Sequence, residues 1–103
     1  MYQVVLCTCP NEDTANNIAE HLVTEKLAAC VNIIPGIRSI YLWQGKVERD
    51  NEVKLVIKCD SVRFSAVEKA LLALHPYEVP EIIALDIAQG HQGYLDWINN
   101  TLS

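Results

Sequence analysis

The first apolar block, YQVVLCTC at residues 2–9, predicts a strand that Pro10 stops. Asn11 is a suitable helix N-cap, and Glu12 and Asp13 favour the positive end of a helix dipole. Ala15, Ile18, Ala19, Leu22 and Val23 then recur at helical spacing, which predicts an amphipathic helix to about Lys26. The run AACVNII reads as a second strand, meets Pro35 and Gly36, and resumes as IRSIYLW. Gln44 and Gly45 mark a tight turn. On the return, Val53, Leu55, Ile57 and Cys59 alternate against Glu52, Lys54, Val56 and Lys58, so a strand is expected from Lys46 to Cys59.

Asp60 and Ser61 offer a cap for a second helix, with Phe64, Val67, Ala70, Leu71 and Leu74 as its apolar stripe. Pro76 forbids its continuation. EIIALDI predicts a further strand, and Gly90 opens a last short helix through Tyr94, Leu95, Trp97 and Ile98. The order β-α-β-β-α-β-α begins with the six elements of a ferredoxin-like α+β fold, a four-stranded antiparallel sheet with two helices on one face. An extra C-terminal helix follows. No linker or low-complexity tract interrupts the chain, so residues 1–103 are expected to form a single domain.

One length is out of proportion. A compact domain of this size has a diameter of roughly 33 Å, whereas strands of about 14 or 15 residues at about 3.3 Å each span nearly 50 Å. The long hairpin from Ala28 to Cys59 should therefore overhang its own domain, carrying Ile37, Ile40, Leu42 and Trp43 with it. Either Pro35 and Gly36 fold the strand back, or the overhang pairs with neighbouring copies. The apolar residues continue past the break, which favours oligomerisation.

Composition narrows the function. A net charge of −5, with eight scattered basic residues, argues against a nucleic-acid partner. No apolar run approaches a membrane span, and the N-terminus has no basic start resembling a signal peptide. The four cysteines, Cys7, Cys9, Cys30 and Cys59, form no C-x-x-C pair, so reduced thiols in a cytoplasmic protein are expected. Nucleophile elbow, phosphate-binding glycine loop and HExxH motif are all missing, so no enzyme is expected.

Two groups of residues carry candidate chemistry. Cys7 and Cys9 share one face of the first strand, as inert buried side chains or as soft ligands for Cu(I) or Zn. His75, at the end of the second helix, is the candidate second ligand or a cap for helix carbonyls. Its approach to Cys7 is not assured within one chain, and a site shared between subunits would relax that constraint. The other group surrounds the connector HPYEVPE. Tyr77, Glu78 and Glu81 would meet Trp43, Lys46 and Lys58 if oligomer contacts brought the hairpin close. Aromatic walls with a few polar groups suit a small ligand; the alternative is local packing with solvated carboxylates. His21 and His91 are expected to be solvated and a turn residue, respectively.

The segments VVLCTCPNEDTA, EKLAACVNIIPGIRSIYLWQGKVE, LHPYEVPEI and GYLDWI, in this order from Val4 to about Ile98, resemble the CutA divalent-cation-tolerance family. The resemblance implies a ferredoxin-like homotrimer, similar in plan to the trimeric nitrogen-signalling regulatory proteins, with the long hairpin pairing between subunits. It implies a role in divalent-cation, especially copper, binding or tolerance and no established catalysis. A described bacterial copper site uses a first-strand cysteine and two adjacent histidines before the proline. Cys7 and His75 match two of these ligands, while Leu74 stands at the position of the other histidine. Animal members are also linked to the anchoring or processing of a membrane-bound enzyme. A signalling or scaffold trimer with a small ligand in inter-subunit clefts, lined by Trp43, Lys58, Tyr77 and Glu81, is the alternative function.

Overall fold

The computed structural model covers residues 1–103. Its strands are β1 (Tyr2–Cys9), β2 (Cys30–Trp43), β3 (Lys46–Asp60) and β4 (Ile82–Asp86), and its helices are α1 (Glu12–Thr24), α2 (Phe64–Leu74) and α3 (Gln92–Leu102). The sheet is antiparallel throughout, in the order β2-β3-β1-β4. This is the ferredoxin-like arrangement expected from the sequence, with the additional C-terminal helix.

Local chemistry sets the helix ends. The Asn11 side chain accepts a 2.8 Å hydrogen bond from the Thr14 amide and starts α1. The helix stops at Thr24, two residues before the expected end, because Lys26 adopts a left-handed φ of 56°. Asp60 caps the short 3-10 turn Ser61–Arg63 ahead of α2 by accepting from both the Arg63 amide (3.0 Å) and its guanidinium (2.8 Å). α2 ends at Leu74, and His75 turns extended at φ −82°, ψ 134°, as a residue before proline must. α3 runs to Leu102, longer than its sequence pattern suggested, because Ile98 and Leu102 bury against Ala29 and Tyr2.

Strand alternation separates two faces. Val5, Cys7, Cys9, Val53, Leu55, Ile57 and Cys59 point to one side and form the main core with Ile18 and Leu22 of α1 and Val67 and Leu71 of α2. On the other side, strand pairing aligns Leu85 with Val4 and Ile83 with Leu6, and the latter with Val56. α3 packs on that second face only at its Tyr2 end, and Ile83 and Leu85 remain 50% and 52% exposed.

The hairpin does overhang. β1 pairs with β3 only from Asp60 to Val53, whereas β2 and β3 continue together from Ile37↔Glu52 to Trp43↔Lys46. The molecule is accordingly 44 Å long and only 25 by 23 Å across, with a radius of gyration of 14.2 Å against about 13 Å for a compact chain of this size. Pro35 and Gly36 do not fold the strand back. They form a bulge, since β2 advances from Ile34 to Ile37 while β3 moves only from Lys54 to Glu52. Pro35 is tolerated because β2 is an edge strand, and Gly36 supplies the positive φ of 79°. At the tip, Gln44 (φ 50°) and Gly45 (φ 81°) both take left-handed backbone, as a tight two-residue hairpin turn requires.

No atom lies within 4 Å of a Cβ built on Gly36, so its replacement acts through backbone strain alone. Gly36→Ala should therefore lower stability by about 1 kcal/mol, and Gly36→Asn by less. Urea midpoints at fixed protein concentration provide the check; equal stability of all three proteins would contradict the strained bulge.

Candidate functional site

The connector from α2 to β4 brings two sites together at one end of β1. Cys7 is paired in register with Ile82 at the start of β4. Because β4 runs antiparallel to β1, the end of α2 must lie beside the end of β1. The concern that His75 and Cys7 stand apart within one chain is thus corrected by the topology itself. Cys7 Sγ, Cys9 Sγ and a His75 ring nitrogen all lie within 4.8 Å of one another.

All three side chains are buried, with His75 only 7% exposed. The adjacent Cys9 thiol, together with burial, raises Cys7 far above the ordinary thiol range. The neighbouring Cys7 thiol lowers Cys9, so the first thiolate of the pair forms there. Cys59 is apart from this cluster and is raised to about 11 by burial.

Both nitrogens of His75 are engaged. The Tyr77 backbone amide donates to Nδ1 at 3.1 Å, so that atom carries no proton. Nε2–H therefore donates to the Thr8 carbonyl, 2.7 Å away. His75 is a clasp between connector and sheet before it is anything else. A ring nitrogen can serve a metal only by giving up one of these bonds, whereas the two thiols need no such rearrangement. Leu74 is only partly buried against the core and brings no ligand atom.

The second site lies on the uncovered face, beyond the end of β1. A cavity of ≈ 740 Å³ is lined by Tyr41 and Trp43 of β2, Asp50 and Glu52 of β3, and Tyr77 and Glu81 of the connector, among others. Trp43, Tyr77 and Glu81 are thus brought together within one chain, without a second subunit. Lys58 is not. Its ammonium donates to the Asn32 side chain, opposite the other end of the sheet, and Lys46 also stays outside the lining. The lysine at Glu81 is Lys54, at 2.8 Å, and Thr8 Oγ1 donates to the same carboxylate at 3.2 Å.

Phenol hydroxyls hold two of the cavity carboxylates. Tyr77 donates to Glu52 Oε2 at 2.6 Å, and Tyr41 donates to Asp50. The Asp50 carboxylate opposes ionisation of Tyr41 and raises it to about 12. Burial, followed by the bond to Glu52, raises Tyr77 as well. Both phenols therefore remain donors at neutral pH. Sequence reasoning missed Glu52, whose only signal was an acidic residue continuing the alternation opposite the core row.

A profile of the CutA1 divalent ion tolerance protein matches residues 3–101. The chain belongs to that family. The divalent-cation tolerance protein CutA of Thermus thermophilus is 53% identical over 98 residues, covering 95% of each chain. A solved structure of the Thermus thermophilus CutA1 protein superposes with a TM-score of 0.93 over 95% of each chain. The human protein CutA is 50% identical over 91 residues, 88% of this chain but 51% of its own length, so the chain spans about half of that CutA relative.

The clasp makes two outcomes checkable. Nitrogen-15 NMR of the protein should find His75 as the Nε2–H tautomer; a proton on Nδ1 would contradict the assignment. His75→Ala should cost about 1 to 3 kcal/mol in chemical denaturation, since it orphans the Thr8 carbonyl and Tyr77 amide.

Proposed function

We propose that this chain serves divalent-cation tolerance by holding a soft metal ion, copper above all, at Cys7 and Cys9, with His75 as the third ligand. The observation that carries this reading is the convergence of two thiols and an imidazole within 4.8 Å at the end of β1. Thiolates suit Cu(I) and Zn, and imidazole suits copper and zinc alike. The donor set therefore fits such an ion. When bound, the ion would be held as thiolate complex, and the protons of both thiols would be released. His75 would join through its unprotonated Nδ1, exchanging the Tyr77 amide for the ion while Nε2–H keeps the Thr8 carbonyl, which makes it the weakest of the three. The function is binding rather than catalysis, and the free thiols suit a reducing compartment such as the cytoplasm.

Assembly as a homotrimer is part of the proposal. The apolar row Val4, Leu6, Val56, Ile83 and Leu85 on the uncovered face supports it, because a solvated antiparallel sheet normally presents polar side chains there. The overhang adds Leu42, 72% exposed, and the edges β2 and β4 lack strand partners.

Competition with a Cu(I) chelator tests the metal site. Cys7→Ser and Cys9→Ser should each lose more than the roughly tenfold to hundredfold typical of a supporting residue, and His75→Gln should lose less. Unchanged affinity in both cysteine variants would remove these residues from the site. For assembly, sedimentation equilibrium should give three times the 11.6 kDa chain mass, and Leu85→Lys should reduce it. A wild-type mass near one chain would refute the trimer.

A further inference from the structure

The thiol pair and His75 form a closed set of three donors with no fourth. Cys7 and Cys9 are 0% exposed and His75 is 7% exposed, so the chain itself seals them, whatever assembles around it. No further histidine, cysteine or carboxylate joins the three within 4.8 Å. The carboxylates whose charge reaches the thiols are held on the other face of the sheet, Glu52 by Tyr77 and Glu81 by Thr8 and Lys54. The Thr8 carbonyl is taken by His75 Nε2–H. Around the donors the wall is hydrocarbon. Leu55 and Ile82 stand opposite Cys7, Val53 stands opposite Cys9, and Ile18 and Leu71 belong to the same core cluster.

Coordination number separates the ions that two thiolates and an imidazole suit. Zn(II) takes four ligands in a tetrahedron, or three and a water, and Cu(II) favours tetragonal nitrogen and oxygen sites. This site offers neither a fourth side chain nor an open position for water. Cu(I) is a soft ion that two or three thiolate and imidazole donors satisfy. Dehydration points the same way: its cost rises with the square of the charge, so a divalent ion loses about four times as much solvation on entering a dry site. Two thiolates leave a net negative charge on a Cu(I) complex, which opposes the preference but supplies no fourth ligand to Zn(II).

The strand also keeps the pair from serving as a reductant. Reduction of two Cu(II) ions by two thiols yields two Cu(I), one disulfide and two protons. Residues two apart in a strand have Cα atoms about 6.7 Å apart and parallel side chains, whereas a disulfide draws its Cβ atoms to within about 4.5 Å. Meeting that demand would break the ladder, since Cys7 is paired with β3 on one side and β4 on the other. The ion must therefore arrive already reduced.

We propose that this site selects a monovalent ion of low coordination number, Cu(I), and excludes Zn(II) and other divalent cations. The inference rests on the soft-metal function proposed above and adds the oxidation state and ligand number that this chain accepts. Cys7 and Cys9 hold the ion, and His75 completes a set of three.

Anaerobic competition of the reduced, intact protein tests the selectivity, with bicinchoninate for Cu(I) and a chromophoric chelator for Zn(II). One Cu(I) per chain is expected, bound at least about a hundredfold tighter than Zn(II). X-ray absorption should find at most three donor atoms on copper, two of them sulfur. Co(II), a spectroscopic stand-in for Zn(II), should give no thiolate charge-transfer band with the wild type. Val53→Cys places a further thiol opposite Cys9; it should bring that band and tighten Zn(II) by about tenfold or more, with a smaller change for Cu(I). The wild-type comparison decides the matter if Val53→Cys disturbs folding. A Co(II)–thiolate band in the wild type, Zn(II) held through Cys7 and Cys9 within about tenfold of Cu(I), four-coordinate copper, or an unchanged preference in folded Val53→Cys would overturn the selectivity and leave the soft-metal function standing. Cu(I) affinity that survives both Cys7→Ser and Cys9→Ser, or no metal binding at all, would overturn both.

Discussion

The arrangement of this protein's chemistry depends on one clasp, the imidazole of His75 held between the Thr8 carbonyl and the Tyr77 amide. A helix that ends before a proline leaves its connector free to wander over the sheet edge. Here a buried ring bridges the connector to the end of β1, and both of its nitrogens are satisfied. The helix side of the sheet thereby receives the thiol pair and the imidazole. The opposite side receives Tyr77 and Glu81. Two sites of different character share one short segment, because that segment crosses from one face of the sheet to the other.

Thr8 stands at the crossing. Its carbonyl serves the clasp, while its hydroxyl reaches Glu81. The thiols of Cys7 and Cys9 flank it in sequence but point to the opposite face, so alternation alone divides neighbouring residues between a soft, dry environment and an acidic, aromatic one. The division also explains the contrast in protonation. Their mutual proximity and burial separate Cys7 from Cys9, whereas the Asp50 carboxylate keeps Tyr41 protonated and burial with the Glu52 bond keeps Tyr77 so.

Much of the fold was legible from periodicity. The stripe Ala15, Ile18, Ala19 and Leu22 and the row Val53, Leu55, Ile57 and Cys59 are the buried faces of α1 and β3. The overhang followed from strand length against domain diameter. The proximity of His75 to Cys7 was also implied by the antiparallel pairing of β4 with β1, but that step requires following the topology through the helix. Lys58 was misplaced because sequence counts charges without their row: Lys54 and Lys58 share a face, yet lie at opposite ends of β1, opposite Thr8 and Val4. Glu52 was invisible because an acid in an alternating strand normally faces water, whereas here it is buried and bonded to the connector's tyrosine.

The bulge at Pro35 and Gly36 acts as a parity switch. Before it, Asn32 and Ile34 align with Val56 and Lys54 on the uncovered side; beyond it, Ile37, Ser39, Tyr41 and Trp43 take over that row, opposite Glu52, Asp50, Glu48 and Lys46. A regular strand would have continued the even-numbered series and turned Ile40 and Leu42 toward the acids instead. One extra residue therefore sets Ser39, Tyr41 and Trp43 in that row in place of Arg38, Ile40 and Leu42. The character of the cavity wall is set by a change in counting some distance away, with none of the lining side chains altered.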